Sequence, residues 1–446
     1  MGNYFGTDGI RGTFGGDLLN AAFARRFGRA IADFLIADFP HKPITVAVGR
    51  DTRASGVELE SALSQGLCPR EVHVIHLGVI PTPGVAMAVQ QLHADLGIAL
   101  TASHNPAEDN GIKLFDNRGH KLLPDTEERI ERLIDATGEV PEAPTCGFEH
   151  DGRDHYVNFM RSLLHQDCLE GWKVVLDCAN GATYRTSPVV LRQFGAGLTL
   201  LGVDPDGTNI NAGVGSEYPE RLAEEVVRVG ANLGIAHDGD GDRCVLCDET
   251  GTLVHGDRLL GLLALHEIRQ RRLQDQTLVA TVQSNLGLDR ALETVGGHVE
   301  RTDVGDRNVL HSLLRGNFNL GGESSGHVIF PRLLEAGDGL MAAIKTLEVM
   351  LHTGKPLSAL AAEVTLFPQL SRSLQIRAKR PLEACPSLQD AIDQANHRLG
   401  SHGRVLVRFS GTEPKIRLLV EADDEALLKP IMESFERAVD QDLGLA

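Results

Sequence analysis

Three aspartates alternate with glycine in Asp238, Gly239, Asp240, Gly241 and Asp242, and Arg243 closes the run. Carboxylates at alternate positions repel one another unless a cation neutralises them. The intervening glycines leave the backbone free to wrap around that cation. Hard oxygen ligands suit magnesium, which keeps positions open for water or phosphate oxygens. A calcium loop of the EF-hand type competes, because Asp238 in its first position also places Asp240, Asp242 and Glu249 correctly. It fails at Arg243, where such a loop needs glycine, and both flanks read as strands rather than helices. An acidic surface turn is the bland alternative.

A second reactive stretch is Thr101, Ala102, Ser103, His104, Asn105 and Pro106. It follows Leu96, Gly97, Ile98, Ala99 and Leu100, an apolar run that reads as a buried strand. The polar residues therefore begin where a strand ends, which is where open α/β sheets bind ligands. Ser103 is the candidate nucleophile or phosphate carrier, and His104 and Asn105 are placed to orient it. The same six residues also read as a turn that merely leaves a strand. Beyond them, residues 109–115 read as a turn and a strand, with Lys113 between apolar neighbours. That lysine is either an edge residue with its head in water or a cation held in the site, fit for proton transfer or phosphate contact.

Other polar loops follow other strands. Glycines at 6, 9 and 12 surround Arg11, whose guanidinium suits a phosphate. Residues 49–56 carry Arg50, Asp51 and Arg53, either a support for the Ser103 loop or a structural arginine–aspartate pair. Val304, Gly305, Asp306 and Arg307 form a polar turn. In residues 320–327, Glu323 can accept two hydrogen bonds and Ser325 can donate and accept, which suits vicinal sugar hydroxyls. Near the end, Ser410, Gly411 and Thr412 offer a cradle of small donors, with Arg408, Lys415 and Arg417 bringing positive charge to it.

These loops need a scaffold, and the periodicity predicts one. Ala21, Phe23, Phe27, Ile31 and Leu35 fall at near-helical spacing. Strands and helices alternate through three regions, which points to covered, mostly parallel sheets and an internal structural repeat of strand, polar loop and helix. The Pro- and Gly-bearing segment 139–154 reads as a linker, and Pro368 with the charged run 372–383 marks a last boundary. The domains predicted are 1–153, 154–253, 254–367 and 368–446.

The composition bounds the partners. With 446 residues, the chain is too long for one ordinary core. Its net charge of -18 argues against a nucleic-acid surface. In so acidic a chain the small basic clusters become informative. Seven scattered cysteines imply no secreted disulfide framework, and Cys244 and Cys247 read as strand residues rather than zinc ligands. No leader is visible and no run approaches the ~18 apolar residues a membrane span needs, so the expected location is cytoplasmic, with no membrane partner.

Taken together, these loops resemble the α-D-phosphohexomutase family. Residues 101–106, 238–243, 322–327 and 408–417 carry the resemblance, in family order and over essentially the full length. Residues 4–12, 109–115, 177–183, 304–307 and 410–414 are similar to the branch acting on amino-sugar phosphates. The branch acting on mannose and glucose phosphates shares the catalytic loops. The resemblance implies an α/β fold: three similar α/β domains with mixed, mostly parallel sheets and a smaller C-terminal α+β domain around one active-site cleft. It implies that Ser103 works as a phosphoserine, with one Mg2+ held by Asp238, Asp240, Asp242 and the phosphate on Ser103.

By the same resemblance, Arg243 and Arg11 contact the transferring phosphoryl group, and Lys113 and His104 are the proton-transfer candidates. Glu323 and Ser325 read sugar hydroxyls, and Asp306 and Arg307 are candidate substrate contacts. Arg408, Ser410, Gly411, Thr412 and Arg417 hold the distal phosphate. The implied reaction moves phosphate between the 6- and 1-hydroxyls of glucosamine through a 1,6-bisphosphate, which also serves as activator and must turn over in the cleft. Its product feeds UDP-N-acetylglucosamine and cell-wall precursor synthesis. The phosphosugar is the implied partner, and a homodimer is left open. Asn308, Ser324 and Phe409 depart from the family pattern. A magnesium-dependent phosphatase is the rival class, but it needs neither the distal cradle nor the sugar loop.

Overall fold

The computed structural model of the chain describes residues 4–6, 8–410 and 414–445. Four sheets organise it. The first runs in the order Ile10–Thr13, Asp109–Asp116, Leu96–Leu100, Thr45–Arg50, His73–Val79 and Phe148–Glu149. The second runs Leu253–Val254, Cys244–Asp248, Leu233–His237, Lys173–Asp177 and Gly197–Leu201. The third runs His298–Thr302, Thr277–Thr281, Gly321–Gly322, Val328–Phe330 and Leu334–Gly337. The fourth is an antiparallel sheet of Gln369–Gln375, Lys415–Ala422 and Gly403–Phe409. The chain thus has three α/β domains with mixed sheets and a smaller C-terminal domain.

The local reasons are ordinary. Leu96–Leu100 and Leu233–His237 are buried along their whole length, which is why they read as continuous apolar runs rather than alternating ones. Helix Ala21–Asp38 starts at Asn20, whose side chain accepts from the Phe23 amide at 2.9 Å. It buries Phe23, Phe27, Ile31 and Leu35, the stripe expected from spacing.

The first three sheets share one device. Leu96–Leu100 pairs in parallel with Thr45–Arg50 and antiparallel with Asp109–Asp116. Leu233–His237 does the same between Lys173–Asp177 and Cys244–Asp248, and Gly321–Gly322 between Thr277–Thr281 and Val328–Phe330. In each, the charged loop lies on the connection to the antiparallel partner. The repeat expected as strand, polar loop and helix is, at these loops, strand, loop and returning strand. In the fourth sheet, Ser410 and Pro414 flank the corresponding connection, between Gly403–Phe409 and Lys415–Ala422. Strands on both sides of residues 238–243 also dispose of the EF-hand.

Two segments are more ordered than expected. The linker 139–154 contributes Phe148–Glu149 to the edge of the first sheet, beside His73–Val79. Cys146 within it forms a disulfide with Cys68, a pairing not foreseen from cysteine number. The charged run after Pro368 begins as strand Gln369–Gln375. Cys244 and Cys247 are buried strand residues, as read.

Helix Arg153–Arg161 is fastened to the third domain through one buried carboxylate. The Tyr156 hydroxyl donates to both oxygens of Asp338, at 3.1 and 2.9 Å. Asp338 also caps helix Gly339–Thr353 by accepting from the Met341 amide at 2.9 Å. Burial pushes its pKa up to about 7, against the backbone and hydroxyl donors that favour the anion. A raised carboxyl pKa means the folded state holds the proton more tightly than the unfolded one. Stability from this group is therefore full below about pH 4 and lost as pH rises through about 7. Asp338→Asn keeps an acceptor for both donors and removes the titration. The melting temperature of the variant minus that of the parent should rise between pH 5 and 7 and level off above. A difference independent of pH would refute this.

Candidate active site

Ser103 stands three residues past the end of strand Leu96–Leu100, with a left-handed backbone (φ 52°). Its amide donates to Thr101 Oγ1 at 2.9 Å, and Thr101 Oγ1 donates to Asp51 Oδ2 at 2.7 Å. The Ser103 hydroxyl donates to Asp238 Oδ2 at 2.6 Å, across two domains and 135 residues of sequence. His104 Nδ1 lies 3.4 Å from Ser103 Oγ and 3.4 Å from Arg243 Nη1. Burial and then the Arg243 charge lower the His104 pKa.

Asp238, Asp240 and Asp242 bring one carboxylate oxygen each within 4.8 Å of one another, and all three are buried. Burial, then Asp240 and Asp242, push the Asp238 carboxyl well above the usual range. Burial works the same way on Asp242, but Lys113, His327 and Arg243 overcome it and hold that carboxyl well below. Asp240 Oδ2 accepts from Thr82 at 2.6 Å and from Lys113 at 2.8 Å. Asp240 Oδ1 and Asp242 Oδ1 are buried without a hydrogen-bond partner. Buried hard oxygens this close together, two of them without a hydrogen-bond donor, fit a metal ion. Gly239 fits between the loops because a Cβ there would lie 2.5 Å from the Ser103 carbonyl oxygen. The Ser103 loop and the acidic loop thus touch backbone to backbone.

Lys113 is the cation in the site, not an edge lysine. It lies 2.8 Å from Asp240, 3.2 Å from Asp242 and 3.1 Å from Asp8. Burial would lower its pKa, but the three carboxylates hold it well above the ordinary value. From there the charges close a ring. Asp8 pairs with Lys121, and Lys121 with Asp306 at 2.5 Å. His327 lies 3.6 Å from Asp306 and 3.7 Å from Asp242, which returns to Lys113. Three carboxylates, two lysines and the His327 ring therefore join three domains beneath the cleft. Asp8, Lys121 and His327 were not singled out from sequence, although Asp8 and His327 lie inside motifs that were.

Above this floor opens a cleft of about 480 Å³ lined from all four domains. Arg11, His104, Asp242 and Arg243 face it on one side, Asp306, Glu323 and Ser325 on another, and Arg408, Ser410 and Arg417 on the last. Arg11 is paired with Asp8. Glu323 accepts from the Gly305 amide at 3.0 Å, joining the loop 323–327 to the turn 304–307. Arg307, by contrast, is drawn off to Glu127 at 2.6 Å and lines a neighbouring groove rather than this cleft. Gly411 and Thr412 lie outside the described residues.

Arg408 and Arg417 stand directly opposite one another on antiparallel strands. Like charges in that register repel. Burial and then Arg417 lower the Arg408 pKa, and Arg408 Nη2 is buried without a partner. Two facing guanidiniums with a donor to spare form a site for an anion.

Comparison with known proteins agrees with this layout. Four family descriptions match in order: phosphoglucomutase/phosphomannomutase alpha/beta/alpha domain I over residues 2–140, domain II over 154–251, domain III over 255–367 and the C-terminal domain over 374–438. A phosphoglucosamine mutase of Syntrophotalea carbinolica is 42% identical over 448 residues, covering 99% of this chain and 98% of its own. One from Myxococcus xanthus is 44% identical, covering 98% and 97%. A crystal structure of a phosphoglucomutase/phosphomannomutase family protein from Burkholderia thailandensis superposes with a TM-score of 0.82 at 27% identity, covering 99% of this chain and 98% of that one. An N-acetylphosphoglucosamine mutase of Aspergillus fumigatus, solved with GlcNAc-6P and magnesium, shares the fold at a TM-score of 0.69 and 17% identity, covering 99% and 96%.

Proposed function

The chain belongs to the phosphoglucomutase/phosphomannomutase family of isomerases, and from that membership we propose that it interconverts glucosamine 6-phosphate and glucosamine 1-phosphate, the activity that gives its curated relatives their name. Magnesium as the metal, the cytoplasm as the place, and a sugar 1,6-bisphosphate as intermediate and activator belong to the same proposal. So do the boundaries 1–153, 154–253, 254–367 and 368–446. Among the described residues no helix is long and apolar enough to cross a membrane. The observation that supports the reading is that one cleft is lined both by Arg408 and Arg417, facing each other across two strands, and by His104, Asp242 and Arg243, neighbours of the Ser103 hydroxyl and its partner Asp238.

On this reading, phospho-Ser103 gives its phosphoryl group to the 1-hydroxyl of glucosamine 6-phosphate. The Oγ–P bond breaks as the P–O1 bond forms, and the hydroxyl proton passes to a protein base. His104, 3.4 Å from Ser103 Oγ and with a lowered pKa, is the candidate base, while Lys113, held protonated among three carboxylates, is the candidate proton donor. Arg243 and Arg11 steady the moving phosphoryl oxygens. Asp238, Asp240 and Asp242 hold the metal, which when bound neutralises charge on those oxygens. Glu323 and Ser325 grip sugar hydroxyls, with Asp306 beside them. Arg408, Ser410, Gly411, Thr412 and Arg417 keep whichever phosphate is idle. The 1,6-bisphosphate then turns over, and Ser103 Oγ takes the phosphoryl group from O6 as the P–O6 bond breaks and O6 is protonated, leaving glucosamine 1-phosphate.

A coupled assay with magnesium tests this on glucosamine, glucose and mannose 6-phosphates at matched concentration, with and without a sugar bisphosphate. Fastest turnover on glucosamine 6-phosphate supports the proposal. Preference for glucose or mannose phosphate would keep the mechanism and change the substrate. Release of inorganic phosphate without a 1-phosphate would overturn the mutase reading.

The cradle makes a separate prediction. Arg417→Ala should raise KM about 10- to 100-fold, the worth of a lost charge-assisted hydrogen bond. Because Arg417 repels Arg408, the melting temperature should hold or rise. A fall in melting temperature with KM unchanged would mean that Arg417 is structural.

A further inference from the structure

The backbone that carries Ser103 is held by two side chains that the reaction scheme does not use. Arg53 is fully buried beside Asp51. Its Nη2 donates to the carbonyls of Ser103 at 3.0 Å and Asn105 at 2.8 Å. Its Nη1 donates to the carbonyls of Asp109, at 2.8 Å, and Pro106. One planar fork thus satisfies four carbonyls of a single loop, while Nε is fixed by Asp51 Oδ2 at 2.9 Å.

Asn211 comes from the second domain and grips the same place. Its Nδ2 donates to the Ser103 carbonyl at 2.8 Å and the Asn105 carbonyl at 2.9 Å. It is 5% exposed and has a left-handed backbone (φ 58°). Its amide is anchored to the Ala179 carbonyl at 2.8 Å. A guanidinium from one domain and a carboxamide from the next therefore share two acceptors, immediately under the nucleophile. The Gly207 carbonyl of the same second-domain loop accepts from the Ala54 amide at 2.9 Å, next to Arg53.

Ser103 needs such a hold. Non-glycine residues keep a left-handed backbone only where the surroundings fix it. Loss of the clamp frees the loop to relax, and the hydroxyl then turns away from Asp238. We propose that Arg53 and Asn211 are positioning residues that set the aim of Ser103. Phosphoryl transfer then depends on the second domain staying closed on the first. The inference rests on the reading that Ser103 carries the phosphoryl group.

The test uses Asn211→Gly and Asn211→Asp. Glycine accepts the left-handed backbone without strain and deletes the donor. Aspartate keeps the shape and replaces the donor by an acceptor facing acceptors. Each purified variant is phosphorylated, its phosphoserine content is measured by intact mass, and single-turnover transfer to the best sugar phosphate is followed per phosphoserine. Both variants should transfer about 10- to 100-fold more slowly, with KM within about twofold of the parent, as expected for a misaimed but intact site. Arg53→Lys, which keeps the charge and loses the fork, should be slower still if it folds; the Asn211 variants stand without it. Ser103→Ala runs alongside. Parental transfer in the Asn211 variants, or a raised KM at an unchanged rate, overturns the clamp while Ser103→Ala stays inactive. An active Ser103→Ala overturns the phosphoserine reading instead.

Discussion

Ser103→Ala should reduce mutase turnover by at least about 10⁴-fold, because a covalent carrier cannot be replaced by binding alone. The change is structurally mild. Alanine meets the same left-handed backbone as serine, and the amide bond to Thr101 Oγ1 is retained. What disappears is the oxygen 2.6 Å from Asp238. The melting temperature should therefore stay close to that of the parent, and intact mass should show no phosphate on the variant after incubation with a sugar bisphosphate. A variant that still turns over at even a hundredth of the parental rate would show that the phosphoryl group passes through another atom.

Lys113→Met should be the most destabilising single change in the site. Lys113 is buried among Asp8, Asp240 and Asp242. Removing one partner of a buried charge cluster leaves the others uncompensated, at about 3–5 kcal/mol. The pH course follows from the shifts. Lys113 holds the carboxyls of Asp8 and Asp242 below their ordinary values, against the burial that would raise them. Depressed carboxyls give stability that is present above about pH 4 and lost as pH falls through the folded values. The deficit of Lys113→Met should thus be full at pH 7 and shrink on acidification. Saturating Mg2+ should restore part of it, since a cation that binds only the folded state stabilises by mass action. Denaturant melts at pH 7 and pH 4, with chelator or Mg2+, read all three effects. A deficit that ignores both pH and Mg2+ would assign Lys113 to packing alone.

The residues legible from sequence are those whose meaning is local. Alternating carboxylates and glycines at 238–242 need only their own spacing to imply a cation. Ser103 is visible because polar residues begin where a buried strand ends. The charge ring was not legible, because its pairs are made across distance: Lys121 to Asp8 spans 113 residues and Lys121 to Asp306 spans 185. Asn211 is one asparagine in a glycine-rich loop until the fold sets it against Ser103. Arg307 shows how little adjacency in sequence says about direction. It neighbours Asp306 in sequence, but both open helix Asp306–Gly316, where successive side chains point about 100° apart. One faces the cleft and the other faces Glu127.

All four domains line the cleft, and this bears on when the enzyme can first work during its own synthesis. Ser103 and the cradle at Ser410 lie about 300 residues apart, so at about 5–20 residues per second roughly 15–60 s separate their translation. Three domains can finish folding on the ribosome while the fourth wall of the cleft does not yet exist. A chain cut short before residue 403 would carry Ser103, the acidic triad and the loop 323–327 but neither strand of the last hairpin. The complete cleft therefore arrives only with the final stretch of the message, and truncated products would carry Ser103 without the Arg408–Arg417 pair.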